Sequence, residues 1–322
     1  MPDLTFEELT AKIQQHFTNE TYTEGLSFAS KHLPDFPEEF ALINYWRICL
    51  AARLGERDLA NTILESTLAS GLWYSNVLLR QSPSLEVMQG EGEFERLVEI
   101  SQKLQDADLE IPLLAARPEN ACGPEDVGCP AIFFLHSNMD SAQNSLKHLG
   151  ALSYHGWVVA APQSTHSMYT GAYMWTDYKT TKSEMDGHFE NLTKRYNLDE
   201  AQIVFSGFSM GAEMALEMVL TGDYPAQGFI LLGPGGPKMD QVNDWLPLID
   251  RAASRSLRGV VMMGLDDTTI PQENIRSLVQ MLNEHNIPTK LVTFEGLAHD
   301  FPPDTEQVFV DALAFITGAA DN

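Results

Sequence analysis

Gln202-Ile203-Val204-Phe205-Ser206-Gly207-Phe208-Ser209-Met210-Gly211-Ala212-Glu213-Met214-Ala215-Leu216 is the stretch that decides how this chain is read. It opens on a short apolar run rich in β-formers and closes on good helix formers, so a serine stands at a strand-to-helix turn. The five residues at the join read G-x-S-x-G. A turn that tight brings the strand and helix backbones together, and Gly207 and Gly211 leave the room that side chains would take. The strained turn pushes the Ser209 hydroxyl out at the carboxyl end of the strand. The following helix aims its N-terminal N–H groups and positive dipole end at the same spot. A nucleophile that turns a neutral carbonyl into an oxyanion needs that arrangement. The motif alone arises by chance in many proteins; its strand and helix context gives it weight, and the rest depends on a base and an acid downstream.

Outward from this turn, short apolar runs alternate with helical segments from Pro130 onward. The strand candidates are 131–135, 157–161, 203–205, 229–232, 260–263 and 291–294. Helix candidates lie near 141–154, 181–196, 211–221, 240–252, 272–285 and 304–317. Apolar strands separated by helices predict an α/β fold with a doubly wound, mostly parallel sheet covered on both faces. Functional residues in such a sheet gather on loops after the carboxyl ends of the strands. Ser209 follows the third strand. Asp266 and Asp267 follow the fifth, in Gly264-Leu265-Asp266-Asp267-Thr268-Thr269-Ile270-Pro271. His299 follows the sixth, in Gly296-Leu297-Ala298-His299-Asp300-Phe301-Pro302. A serine hydroxyl needs a neutral imidazole to take its proton, and that imidazole needs a carboxylate to hold its tautomer. Of the other histidines, His136 ends the first strand, and His16, His32, His148, His155, His188 and His285 fall on helical stretches or their ends. His166 lies in a loop near the site, where it could contact substrate.

Residues from about 109 to 317 resemble the α/β-hydrolase superfamily, within it the dienelactone-hydrolase-like and carboxylesterase/phospholipase-like branch. Three segments carry the resemblance: Gly207–Gly211; Gly264-x-x-Asp267-x-x-Ile270-Pro271; and Gly296-x-x-His299 followed by Phe301-Pro302. The resemblance implies Ser209 as nucleophile, His299 as base and Asp267, ahead of Asp266, as the acid of a triad. It implies an oxyanion hole made by the N–H groups of Met210 and Asn138. The family usually has His-Gly before the second donor, and here Ser137 stands in place of that glycine.

The expected function is that of a serine carboxylesterase acting on small to medium esters through an acyl-enzyme, with no cofactor or metal. A peptidase or a thioesterase would use the same machinery. The loop from Pro162 to Tyr169, then Tyr173-Met174-Trp175, should border the site. Its aromatic residues suit an apolar acyl or aryl group, which makes His166, Tyr173 and Trp175 substrate-contact candidates; equally, they could simply pack the loop. The catalytic loops carry no Arg/Lys cluster, which counts against a phosphate-bearing substrate.

Residues 1 to about 105 read as helix after helix, and 106–322 as the catalytic domain. Stripes run through Phe6-Leu9-Ile13-Phe17, Tyr22-Leu26-Ala29-Leu33, Phe40 to Leu54, and Leu59-Ile63-Leu68, punctuated by Pro34, Gly55 and Gly71. Two helical hairpins about 34 residues apart resemble tetratricopeptide repeats. Such a repeat offers a peptide partner or self-association surface; a cap that recognises nothing would read the same, as would a silent hydrolase half carried by a binding scaffold. Trp73, Tyr74, Leu78 and Leu79 mark a seam where this unit closes. Leu109 to Leu114 is a candidate edge strand, since its Pro112 would spoil a central one, and Pro118 to Cys129 a loop.

Lys plus Arg number 20 against 45 Asp plus Glu, a formal charge of −25. That surface repels nucleic acid and anionic membranes, so neither is expected as a partner. The N-terminus lacks a signal peptide's basic and apolar regions, which gives a cytoplasmic expectation. The cysteines are Cys49, Cys122 and Cys129; an odd count favours free thiols, although Cys122 and Cys129 flank one loop and could meet.

Overall fold

The computed structural model describes residues 4–108, 113–119, 121–122 and 128–318. The chain divides into two compact units, Met1–Ile111 with Ser167–Ala172, and Pro112–His166 with Tyr173–Asn322. A single cut near residue 105 misses the excursion of Ser167–Ala172 into the helical unit.

The helical unit contains α1 (Phe6–Thr18), α2 (Tyr22–His32), α3 (Phe40–Arg53), α4 (Arg57–Ala69), α5 (Asn76–Gln81) and α6 (Gly92–Asp108). The apolar stripes are the reason: Leu9, Ile13, Ala29, Ile43, Leu50, Leu64 and Leu97 are wholly buried. A capping box starts α1, with Thr5 Oγ1 accepting from the Glu8 N–H and Glu8 Oε2 from the Thr5 N–H, worth about 1 kcal/mol. The Trp73–Tyr74 seam closes on the 167–172 segment. The Ser75 N–H donates to Met168 O (2.8 Å), the Thr170 N–H to Trp73 O (3.0 Å), and the Trp73 N–H to Thr170 Oγ1 (2.7 Å). Tyr74 is buried with its hydroxyl on Ala41 O at 2.6 Å.

The strands are β1 (Leu114–Ala116), β2 (Cys129–Leu135), β3 (Val158–Ala161), then β4 (His166–Tyr169) and β5 (Ala172–Met174), which pair with each other, and β6 (Leu198–Phe208), β7 (Gly228–Leu232), β8 (Arg258–Gly264) and β9 (Thr289–Phe294). The helices are α7 (Ala142–Leu149), α8 (Tyr178–Arg195), α9 (Met210–Thr221), α10 (Pro237–Asp240), α11 (Leu246–Ala252), α12 (Gln272–Glu284) and α13 (Thr305–Thr317). The main sheet runs β1-β3-β2-β6-β7-β8-β9, parallel from β3 onward, with β1 antiparallel at the edge. The edge strand thus begins beyond the proline; residues 109–112 lie outside the described ones. Alternation along each strand separates two cores. Ala131, Phe133 and Leu135 of β2 face one helical layer with Phe205 and Met263, whereas Ile132 and Phe134 face the other with Val204 and Met262. Burying such side chains contributes about 1.5–3 kcal/mol each.

Register lines up the strand ends. Leu135 pairs with Gly207, Phe208 with Leu232, and Gly264 with Phe294. The loops after β2, β6, β7, β8 and β9 therefore leave from one edge. The strand order reverses at β2, beside β6, the position where open α/β sheets form a crevice.

One expectation is corrected. Cys122 and Cys129 form a disulfide, and Cys49 is the buried free thiol. The bond closes a short loop at the start of β2, where the Cys129 N–H donates to Asn197 O and the Asn197 N–H to Cys122 O. It runs against the free-thiol expectation drawn from the odd cysteine count. Among the described residues no helix is long and apolar enough to cross a membrane.

Candidate active site

Ser209 sits between β6 and α9 with φ 54° and ψ −120°, a backbone conformation that a non-glycine residue holds only when its surroundings impose it. The two glycines around it are there for space. A Cβ on Gly207 would lie 2.4 Å from the Gly211 carbonyl carbon, and one on Gly211 would lie 2.2 Å from Leu135 O and 2.3 Å from His136 O. The close approach at Gly211 sets the β2–α7 loop directly against the serine turn. Met210 opens α9, so its N–H has no acceptor within the helix.

Asp267 is buried and Asp266 is exposed. Asp267 Oδ1 accepts from the Thr269 N–H (2.8 Å) and the Ile270 N–H (3.1 Å), while Oδ2 lies 2.7 Å from His299 Nδ1. The carboxylate is therefore oriented by its own turn before it meets the imidazole. Gly264, the first glycine of that motif, is pressed against the histidine loop; a Cβ there would lie 2.1 Å from Leu297 O. The His299 ring packs on Phe208, centroids 4.6 Å apart, and its Nε2 is buried without a hydrogen-bond partner among the described residues. An imidazole with Nδ1 on a carboxylate and Nε2 unspent is arranged to take a proton from a nearby hydroxyl.

The loop after β2 is held rigidly. His136 Nδ1 donates to Ser137 O (2.7 Å), which leaves Nε2 to accept from the Gln163 amide (3.0 Å) and the Ser164 N–H (3.3 Å). Burial pushes the His136 pKa down to about 4, so the ring is neutral at pH 7. Burial also lowers neighbouring His188 and raises Asp140. Ser137, the departure from His-Gly, does not need a glycine's backbone; the left-handed residue of this loop is Met139, with φ 63°. The Ser137 hydroxyl donates to Asp140 Oδ2 at 3.2 Å.

Of the substrate-contact candidates, Trp175 packs the loop. It is 1% exposed, its indole N–H donates to His136 O (2.9 Å) and its backbone N–H to Asn138 Oδ1 (3.1 Å), so it braces the β2–α7 loop. Tyr173 is also buried, and its carbonyl accepts from the Met139 N–H at 2.8 Å. His166 is exposed, with Nδ1 3.9 Å from Glu184 Oε1.

Two features were not singled out from the sequence. The loop after β7, Gly233-Pro234-Gly235-Gly236, lies against the turns that carry Ser209, Asp267 and His299. The Gly235 N–H donates to Ser209 O (3.2 Å), and a Cβ on Gly233 would lie 3.0 Å from His299 Cε1. The second is Glu213, one helical turn after Ser209 and 1% exposed, with burial raising its carboxyl pKa. A run of three glycines in four residues after a strand was the available signal for the loop; a glutamate among helix formers gave none. Among the described residues, no group of three His, Cys, Asp or Glu side chains is placed to hold a metal ion.

This sheet order, with a serine turn after β6 and an Asp–His pair after β8 and β9, defines an α/β-hydrolase fold. Residues 5–108 match the family model described as A/B hydrolase-like, N-terminal domain, and residues 177–317 match Phospholipase/Carboxylesterase. The chain thus has an α/β-hydrolase fold with an all-helical region ahead of it, each similar to a family of hydrolase-like proteins. No curated protein matches the sequence. Among solved structures, an uncharacterized protein from Bacillus cereus is similar over 98% of this chain and 100% of its own, at 20% identity and TM-score 0.55. Esterase PE8 is similar over 64% of this chain and 97% of its own, at 19% identity and TM-score 0.50. Est1E from Butyrivibrio proteoclasticus, with ferulic acid bound, is similar over 65% of this chain and 95% of its own, at 13% identity and TM-score 0.51. At these identities the likeness concerns the fold.

Proposed function

We propose that the protein is a serine carboxylesterase. The Ser209 hydroxyl attacks the acyl carbon of an ester while His299 Nε2 takes its proton. Asp267 holds the imidazole with the proton on Nδ1 and stabilises the imidazolium that forms. The N–H groups of Met210 and Asn138 receive the developing oxyanion. His299 then returns the proton to the leaving alkoxide, and an acyl-Ser209 ester remains. Water activated by the same imidazole hydrolyses it and regenerates the serine. The observation that carries this reading is the 2.7 Å contact of His299 Nδ1 with a buried, doubly hydrogen-bonded Asp267, while Nε2 stays unspent. The match of residues 177–317 to Phospholipase/Carboxylesterase, and the esterases among proteins of similar fold, support an ester as substrate.

Turnover of p-nitrophenyl esters from acetate to decanoate, wild type beside Ser209→Ala, tests the proposal. Hydrolysis that disappears in the variant is expected, and the chain-length profile sizes the acyl pocket. A folded wild type inactive on the whole series would contradict it.

A further inference from the structure

Four contacts converge on Gly233-Pro234-Gly235-Gly236. At Gly233 the His299 ring would crowd a side chain, with Cε1 at 3.0 Å and Nδ1 at 3.1 Å from an added Cβ. At Gly235 the backbone N–H donates to Ser209 O, and an added Cβ would lie 2.1 Å from Ile270 Cδ1, on the turn whose N–H groups orient Asp267. At Gly236 an added Cβ would lie 2.6 Å from the Glu213 carboxylate. The segment is thus a common abutment for all three turns of the site.

Something must fix that abutment, and its own sequence does it poorly. Gly236 is the N-cap of α10 and has no side chain to cap it; Pro237, the first helical residue, has no N–H. The cap comes from another helix. Glu213 Oε1 accepts from the Lys238 N–H (3.2 Å) and Oε2 from the Met239 N–H (2.8 Å). Both carboxylate oxygens are used, and the close approach of Gly236 is what admits them. Glu213 stands on α9, whose first residue follows Ser209, so the carboxylate ties the far end of the glycine loop to the rod that carries the serine.

We infer that Glu213 is a positioning residue: by capping α10 across the Gly233–Gly236 loop, it holds that loop against His299, Ile270 and Ser209, and so sets the serine–imidazole geometry. The inference rests on the hydrolase reading above. It explains why a buried carboxylate is placed one turn from the serine, facing two backbone N–H groups and not the substrate. The Lys238 side chain pairs with Glu217 and its charge favours an ionised Glu213, but the hydrogen bond to Glu213 comes from the Lys238 backbone.

Glu213→Gln keeps the shape but sets an amide NH2 against one of the two N–H donors. Gly236→Ala pushes on the same contact from the other side. Each is expected to lower kcat on p-nitrophenyl acetate about ten- to hundredfold, with KM within about twofold, since a displacement of an ångström or less at the reacting groups costs that much. The double variant should lose little more than either alone, because both break one contact. Reaction with a fluorophosphonate, followed by intact mass, is run on every variant and should slow in parallel with kcat. Wild-type kcat in folded Glu213→Gln, or a rise in KM with kcat preserved, would overturn the inference while wild-type labelling leaves the hydrolase reading standing. If Glu213→Gln does not fold, Gly236→Ala decides by the same criterion. A wild type that is neither labelled nor active would overturn the hydrolase reading and the inference with it.

Discussion

Replacing Asp267 by asparagine separates orientation from shape. Asp267 Oδ1 is fixed by two N–H donors, from Thr269 and Ile270. In Asp267→Asn the side-chain carbonyl must take that place, because an NH2 group there would face two donors with nothing to accept. The amide NH2 is then turned toward His299 Nδ1, which now accepts, and the imidazole proton moves to Nε2. The one nitrogen able to take the Ser209 proton is lost as a base, although no atom has moved far. A locked wrong tautomer costs about ten-thousandfold in kcat, ~5 kcal/mol of transition-state stabilisation. Burst-free p-nitrophenyl acetate kinetics, with a melting curve to show that the variant is folded, measure it. Asp266→Asn, at the exposed neighbour, should stay within about twofold of wild type. A folded Asp267→Asn within tenfold of wild type, or equal losses in both variants, would refute the argument.

Three further outcomes follow from contacts away from the reacting atoms. Gly211→Ala forces a Cβ into Leu135 O and His136 O, both backbone, and should cost about 3 kcal/mol in urea unfolding as well as nearly all activity. His136 is neutral in the folded protein down to about pH 4 but titrates near 6.5 when unfolded. Its depressed pKa therefore contributes up to about 3 kcal/mol above pH 6.5, lost progressively as the pH falls from 6.5 toward 4; stability of His136→Gln should vary less across that window. Removing the disulfide by Cys122→Ser with Cys129→Ser should lower stability by about 2 kcal/mol, read as a fall in the denaturation midpoint.

The parts of the molecule that were readable from sequence are those fixed by local pattern. Strands β2, β3 and β6–β9 overlap their apolar runs, because strand segments buried on both faces cannot alternate with polar residues; β9, at the sheet edge, is only half-buried. That Ser209, Asp267 and His299 leave the sheet at one edge was legible because each follows a strand, and strand ends in a parallel sheet share an edge. What escaped depends on long-range partners. Glu213 reads as an ordinary helix residue until Lys238 and Met239, some 25 residues later, bring their N–H groups to it. Trp175 reads equally as pocket lining or loop packing, and its indole goes to His136 O, a partner set by how the loop returns. The Cys122–Cys129 bond was missed because counting cysteines says nothing of how β2 presents Cys129. The 167–172 excursion is set by contacts with Trp73, Tyr74 and Ser75, nearly a hundred residues earlier, which no local periodicity reports.

The most direct test of the account is to react the wild-type protein with a fluorophosphonate, weigh the adduct and map it by peptide sequencing. The account predicts one adduct per chain, on Ser209, absent from Ser209→Ala and slowed severely in His299→Ala. A folded protein that takes no adduct, or takes it on another residue with Ser209 unmodified, would contradict the claim that this serine is an activated nucleophile.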